Sequence, residues 1–527
     1  MREILFKVGL ASLAACTTLG ASAQSTAACN GAGCGFGGGG LLNQQTTLRL
    51  SAAQLAALLG STDDGRQLMQ VAGVPRCDIE IVTLRYRTVG GAGEPANASA
   101  ALMIPGGAAC SGPRPTLLYA HGTTTYKKYN LADITQTDPR NGDGASEGIS
   151  VAAMYAAQGY IVVASNYAGY AGSDLDYHPY LNGAQQSADM VGALAAARVV
   201  MRAPGSGRNV QESGKLFVTG YSQGGYVAMA THRLLQAAGI PVTASAPGSG
   251  PYALAAMGDA LVAGQVGIGS TVFAVLVTTS YQRSYQNLYR KPSEFYESAY
   301  APGIASLLPS MNSLDKIFTQ GKLPPTQLFN STPPASQFAS LTPPLAPPLA
   351  SPDLTPVFAL GFGNADLVRN DYRLAMLEDA LVNPDGAFPS STVAMAPATR
   401  PVQPLRVDFK LNDLRNWQPR APVQLCGGHD DPTVFFFNAT VQQAYWSSAK
   451  VPAGLTSVLD VDAPIAGPSD PYAALKQGFS MAKMNVAAQA VAAGAQDGGA
   501  SAVIQAYHGT LVAPFCMVAA RAFFGQF

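Results

Sequence analysis

Between Leu216 and about Ala238 a short buried strand runs into Gly220-Tyr221-Ser222-Gln223-Gly224 and continues as an apolar helical stretch. A strand that turns so sharply into a helix needs glycines, because side chains beside the turn would meet the backbone while the central residue is forced into a strained conformation. G-x-S-x-G in this strand-turn-helix setting is a nucleophile elbow. The turn presents Ser222 at a helix N-terminus, where the amide of Gln223 is a candidate donor to an oxyanion. The bland alternative is an ordinary strand-helix turn; the strand before, the helix after and the additional Gly225 favour the catalytic reading.

The surrounding pattern has the same character. Asp78 to Thr88 alternates as a strand, Gly90 to Pro95 is a turn, and Ala98 to Ile104 returns as its partner. Buried strands follow at Pro115 to Ala120 and Tyr160 to Ala164, with helical stretches at Ser150 to Gln158 and about Gln185 to Arg202. A further strand spans Pro241 to Ala246. Short apolar strands alternating with helices predict an α/β fold, a mostly parallel central sheet with helices on both faces and an antiparallel hairpin at its start. The rhythm stops near residue 251 and resumes with the strand Val423 to Cys426, the helix Thr433 to Lys450 and the strand Leu455 to Val461. The intervening residues hold the Pro-rich run Leu323 to Pro356. Because β-α units resume after it, 251–405 reads as a large cap insertion over the ligand-binding end of the sheet, between core segments 51–250 and 406–527.

Residues 1–23 read as an export signal: Arg2 and Lys7, the apolar Val8 to Leu19, and the small-residue cleavage site Ala21-Ser22-Ala23. Leu13-Ala14-Ala15-Cys16 resembles a lipobox, which makes an outer-membrane lipoprotein the alternative to a secreted or periplasmic protein. Residues 24–50 read as a flexible leader of Gly, Ser, Asn and Gln. Ala260 to Tyr281 is uncharged and long enough for a bilayer, but Gln265, Ser270, Thr271 and three glycines dilute it, so a buried or groove-lining segment is expected rather than a membrane span. The 32 basic and 32 acidic residues balance, which argues against a nucleic-acid partner held by a basic field. Oligomeric state is not legible.

A serine hydroxyl needs a base. The chain has five histidines, His121, His178, His232, His429 and His508. His121 ends a strand, His232 lies inside the helix after the elbow, and His429 sits in the turn with the candidate acids. His178 precedes Ser222, against the order nucleophile, acid, base of such a sheet. His508, in Tyr507-His508-Gly509, is the candidate base. The turn Gly427-Gly428-His429-Asp430-Asp431-Pro432-Thr433-Val434 supplies the acid. The spacing Gly428-x-x-Asp431-x-x-Val434 favours Asp431 as the group that orients His508, with Asp430 second. Both could instead cap the next helix.

Taken in order, the elbow, His121-Gly122 and the Gly-x-x-Asp turn resemble the α/β-hydrolase superfamily. Asn166-Tyr167-Ala168-Gly169-Tyr170-Ala171-Gly172-Ser173, His178-Pro179-Tyr180-Leu181, Ala196-Ala197-Arg198 and Gly250-Pro251-Tyr252 are similar to its secretory lipase and esterase branch. The likeness covers about residues 75–255 and 420–515. It implies a first oxyanion donor at Thr123, with Thr124 in reserve, beside Gln223, and a structural His121. The separation of Asp431 from His508 is longer than usual in the family, so 462–507 reads as an extra insertion. The implied activity is cleavage of carboxylic esters through an acyl-enzyme on Ser222. The same triad would suit a polyester, aromatic-ester or amide/peptide hydrolase, and a non-catalytic binding protein on this fold is the alternative from another class. Small-molecule, lipid or polymer esters are the expected partners, with no cofactor and no metal.

Weaker signals complete the picture. Tyrosines cluster in loops around the expected mouth, and Tyr167, Tyr170 and Tyr221 are candidate substrate contacts. Asp138 to Glu147 is acidic and Gly-rich but misses calcium-loop spacing. Six cysteines remain after export. Cys77 and Cys110 would face each other across a hairpin centred between Gly93 and Glu94, Cys29 and Cys34 can close a small loop, and Cys426 is left with Cys516.

Overall fold

The computed structural model describes residues 40–204, 208–344, 349–386 and 396–527. The export signal, the Cys16 alternative and the Cys29–Cys34 pair lie outside the described residues.

The chain enters through β1 (Leu41–Leu50), α1 (Ala52–Gly60) and α2 (Asp63–Ala72). Ser51 caps α1, accepting from the Gln54 amide while the Gln54 side chain accepts from the Ser51 amide. Strands β2 (Asp78–Val89) and β3 (Pro95–Gly106) form the opening hairpin, followed by β4 (Gly112–Ala120), α3 (Gly142–Met154), β5 (Ile161–Ser165), α4 (Gly183–Met201), β6 (Val210–Tyr221), α5 (Gln223–Ala237) and β7 (Ala244–Gly248). The chain then leaves the sheet through α6 (Leu254–Val262), α7 (Ser270–Tyr285), α8 (Leu314–Thr319), β8 (Phe329–Asn330), α9 (Thr355–Ala359), β9 (Phe362–Gly363) and α10 (Asn370–Val382). It returns by α11 (Pro404–Asn412), β10 (Val423–Gly427), α12 (Phe437–Ser448) and β11 (Thr456–Asp460), and ends in α13 (Ala473–Ala492), α14 (Ala500–Ala506) and α15 (Ala513–Phe524).

The main sheet has nine strands in the order β1-β2-β3-β5-β4-β6-β7-β10-β11. The three pairings up to β5 are antiparallel and the rest are parallel. After β4 the chain steps to one side for β5 and then back across to β6. That reversal opens a crevice at the C-terminal ends of β4 and β6, where ligands of open α/β sheets bind.

Two expectations need correction. Residues 41–50, read as the end of a flexible leader, form β1 on the sheet edge, with Leu50 opposite Ile79. Most of β1 is exposed and only Leu41, Leu48 and Leu50 pack on the core. An exposed edge strand tolerates the Asn, Gln and Thr that suggested a linker. The hairpin pairs Asp78 with Gly106 and Val89 with Pro95, so it is centred on Ala92 rather than between Gly93 and Glu94. Cys77 still bonds Cys110, at a Cα separation of 5.5 Å. After the ladder ends, the short turn Ala108–Cys110 carries the second cysteine back.

Among the described residues, one helical run, Ala500–Phe524, is long and apolar enough to cross a membrane. Within that run, α15 lies against β6, β7 and β10 and is bonded to β10 through Cys426–Cys516. The uncharged Ala260 to Tyr281 stretch ends α6 and makes most of α7, both largely buried.

Candidate active site

Ser222 follows β6 directly and precedes the first residue of α5, with φ 59° and ψ −123°. This positive φ is rarely adopted by a residue with a side chain, and the neighbours enforce it. A Cβ on Gly224 would lie 1.9 Å from the Ala120 carbonyl oxygen, and one on Gly220 would lie 2.4 Å from the same atom. The Ser222 amide donates to Gly248 (3.0 Å), and the Ser222 carbonyl accepts from Gly225 (2.9 Å). Gln223 opens α5, where helical amides have no partner within the helix.

β10 leads into the turn that carries Asp431. Asp431 is buried, and its Oδ1 accepts from the amides of Thr433 (2.9 Å) and Val434 (3.0 Å). Its Oδ2 lies 2.7 Å from Nδ1 of His508. A carboxylate only accepts, so Nδ1 carries the proton and Nε2 is the imidazole's free acceptor. That Nε2 is buried without a hydrogen-bond partner. Asp430 is partly exposed, with its Oδ2 3.6 Å from Nε2 of His429. His508 lies in the π-helical stretch Tyr507–Val512 between α14 and α15. The Tyr221 hydroxyl donates to the His508 carbonyl (2.7 Å), so the residue before Ser222 is tied to His508. The segment after β11 forms α13 and α14 and packs Phe479 against Tyr507, while the Tyr507 hydroxyl donates to Asp462 (2.7 Å).

The loop after β4 closes the other side. A Cβ on Gly122 would stand 3.8 Å from that of Ser222, so this loop touches Ser222. Glu147 on α3 accepts from the Gly122 amide (3.3 Å) and from the hydroxyls of Tyr119 and Tyr129. Thr123 Oγ1 pairs with the Tyr180 hydroxyl (2.8 Å), and the Thr124 carbonyl accepts from Tyr170 (2.7 Å).

No protein-family model and no curated protein sequence matches the chain. Among solved structures it is similar to the rice cell wall degrading esterase LipA from Xanthomonas oryzae, with a TM-score of 0.61 and 26% identity over 84% of this chain and 96% of that one. A putative hydrolase from Legionella pneumophila has a TM-score of 0.57 and 19% identity, covering 80% and 91% of the two chains. The chain belongs to the α/β-hydrolase superfamily. The likeness to an esterase supports a hydrolase.

In this hydrolase an apolar cavity of about 120 Å³ opens beside Ser222. Tyr180, Ser222, Gln223 and Val434 line it together with Met257, Phe273, Phe295, Phe329 and Met376. Leu405 and Phe409 of α11 also reach it. The tyrosine candidates are corrected here: Tyr167, Tyr170 and Tyr221 do not line this cavity. Tyr167 and Tyr170 are fully buried, with hydroxyls bonded to the carbonyls of His121 (3.0 Å) and Thr124, and Tyr221 is spent on His508. Clustering in loops marked these residues as mouth-lining, but each ring sits under the loop that it supports.

The remaining histidines are engaged elsewhere. His232 bonds Ser245 (2.8 Å) inside the core, and burial lowers its pKa to about 4. Burial also lowers that of His121, whose ring stacks on Tyr167. His429 is raised, first by its hydrogen bond to Asp460 (2.8 Å). His429, Asp430 and Asp462 bring donor atoms within 4.8 Å of one another, but Asp462 is already paired with Lys483 (2.6 Å). The sequence reading missed the role of Glu147, which it took as the end of an acidic loop, and the contact of His178 with Gln223. Each partner lies far off in the chain, and no local spacing signals either one.

Proposed function

We propose that the protein is an exported serine hydrolase that cleaves carboxylic esters through an acyl-enzyme on Ser222. His508 Nε2 takes the hydroxyl proton as Ser222 Oγ bonds to the ester carbonyl carbon. The tetrahedral oxyanion is held by the amides of Gln223 and Thr123, and collapse breaks the bond to the leaving alkoxide, which receives the proton from His508 and departs as the alcohol. Water repeats the sequence in reverse roles and frees the acid. Asp431 orients His508 and stabilises the imidazolium without being protonated. The observation that carries this reading is the part-buried 2.7 Å Asp431–His508 bond, which leaves Nε2 unpartnered, with the His508 ring 5.1 Å from that of Tyr221 in the elbow.

The cavity supports an apolar acyl group, held by the 251–405 segment acting as a cap. The disulfides Cys77–Cys110 and Cys426–Cys516 support an oxidising compartment. A fluorophosphonate should label the wild type on Ser222 and leave Ser222→Ala unlabelled, with ester turnover in the variant down by about 10⁵-fold or more. Turnover of Ser222→Ala within tenfold of wild type would refute the reading.

A further inference from the structure

Four side chains from one loop, residues 166–181, reach the two segments assigned to the oxyanion. Tyr167 donates to the His121 carbonyl (3.0 Å), Tyr170 donates to the Thr124 carbonyl (2.7 Å), and Tyr180 pairs with Thr123 Oγ1 (2.8 Å). The fourth is His178, whose Nε2 lies 2.7 Å from Nε2 of Gln223. Its Nδ1 lies 2.8 Å from the Ala168 carbonyl oxygen. A carbonyl only accepts, so Nδ1 bears the proton, Nε2 accepts, and the Gln223 amide nitrogen donates. The Gln186 side-chain nitrogen makes a second, longer approach to the same atom (3.3 Å). His178 is fully enclosed, between the rings of Tyr167 and Tyr170 at 5.6 and 4.6 Å. Burial lowers its pKa to about 3, so the neutral form that this bond requires persists across ordinary pH. The loop's far end is fixed as well, since the Leu181 carbonyl accepts from Tyr226 and Tyr281 (3.1 Å each).

We propose that this loop clamps both sides of the oxyanion hole, and that His178 is a positioning residue which holds Gln223 so that its main-chain amide meets the developing charge. The inference rests on the serine-hydrolase reading above. Oxyanion donors are effective because they are aimed before the charge appears, and small misplacements are costly: about 1 Å can remove 10²-fold in rate. Gln223 opens α5, so its amide is free of the helix but held on only one side by it. Pinning its side chain to a rigid, neutral imidazole supplies the other restraint. His178 cannot serve as the base, since both its nitrogens are occupied.

The test compares His178→Phe, which keeps a ring in the tyrosine stack but removes the acceptor, with His178→Gln, which returns an acceptor near the Nε2 position. For a p-nitrophenyl ester, His178→Phe should lower kcat at least tenfold with KM within about threefold, bounded by the 10²–10³-fold loss for a missing oxyanion donor. Affinity for a trifluoromethyl ketone, which forms a charged tetrahedral adduct on Ser222, should fall in parallel. His178→Gln should recover most of both losses. Gln223→Leu should reproduce the His178→Phe loss, and the double variant should be no worse than either single one. The clamp is overturned by kcat within threefold of wild type in His178→Phe, by full additivity in the double variant, or by a loss confined to melting temperature and KM. If His178→Phe does not fold, Gln223→Leu decides: a kcat loss of at least tenfold with KM within about threefold supports the clamp, and kcat within threefold of wild type overturns it. Labelling by fluorophosphonate at end point separates the two readings: labelled variants with wild-type kcat refute the clamp alone, whereas an unlabelled, inactive wild type refutes the hydrolase reading beneath it.

Discussion

Asp430 and Asp431 are adjacent carboxylates in opposite surroundings. Asp431 is buried, with one oxygen capping the next turn and the other on His508, while Asp430 is partly exposed near His429. Asn at position 431 would offer an amide where His508 needs an acceptor, and the imidazole would adopt the wrong tautomer. Asp431→Asn should therefore lower kcat by about 10⁴-fold, by analogy with a serine-protease triad, and Asp430→Asn by no more than a few fold. Steady-state kinetics of the two variants check this, and equal losses would contradict the assignment. The sharp turn at Ser222 was legible from its glycines, and the pairing of His508 with Asp431 from the small number of histidines and the spacing of the Asp431 turn. The sequence reading placed His178 outside the chemistry because it precedes the nucleophile. That order excludes it as the base and is silent on a hydrogen bond to Gln223, which is a matter of three-dimensional proximity.

Two elements around the site carry predictions of their own. α15 is joined to β10 by Cys426–Cys516, at a Cα separation of 5.6 Å and 90 residues apart. β10 leads into the Asp431 turn and α15 follows the His508 stretch, so the bond keeps together two segments whose side chains are hydrogen-bonded to each other. Replacing both cysteines by serine should reduce unfolding stability by up to about 4–5 kcal/mol in the loop-entropy model, measured by denaturant titration. α11 presents Leu405 and Phe409 to the cavity, while Asp408 on the same helix is buried. Asp408 has Tyr281, Tyr285 and Tyr372 around it, one bond from Asn287 (2.9 Å), and no partner for Oδ2. Burial raises its pKa from 3.8 to about 7, against the Asn287 bond. The folded protein therefore holds a proton there that the unfolded chain releases, so stability falls as pH rises from about 4 to 7, and the penalty is complete above that. Asp408→Asn should raise the melting temperature at pH 8 and change it little at pH 4; a gain of the same size at both would contradict the linkage. The element pattern itself was largely legible, because fully buried strands read as short apolar runs. β1 was not, since an exposed edge strand has no apolar alternation to read.

At the scale of the whole molecule, the segment between β7 and β10 is fastened by buried charges. Arg406 on α11 bridges Asp259 on α6 and Asp379 on α10, each at 2.7 Å, and Arg415 bridges Asp385 (2.7 Å) and Asp413 (2.9 Å). Removing one partner from such a set leaves a buried charge uncompensated, typically at about 3–5 kcal/mol. The interruption of the β-α rhythm made an insertion legible, but the pairing of its charges and the apolar lining of its cavity depend on contacts between distant segments. With Met257, Phe273 and Phe329 among the lining residues, p-nitrophenyl esters of apolar acyl groups should be cleaved with higher kcat/KM than a peptide anilide. The most direct test of the account is to trap the acyl-enzyme: wild-type protein quenched in acid within the first turnovers of a p-nitrophenyl ester, then weighed intact and mapped by peptide. The account predicts one acyl group per chain, on the peptide carrying Ser222, and none in Ser222→Ala; an acyl group on another residue, or an equal adduct in the variant, would contradict it.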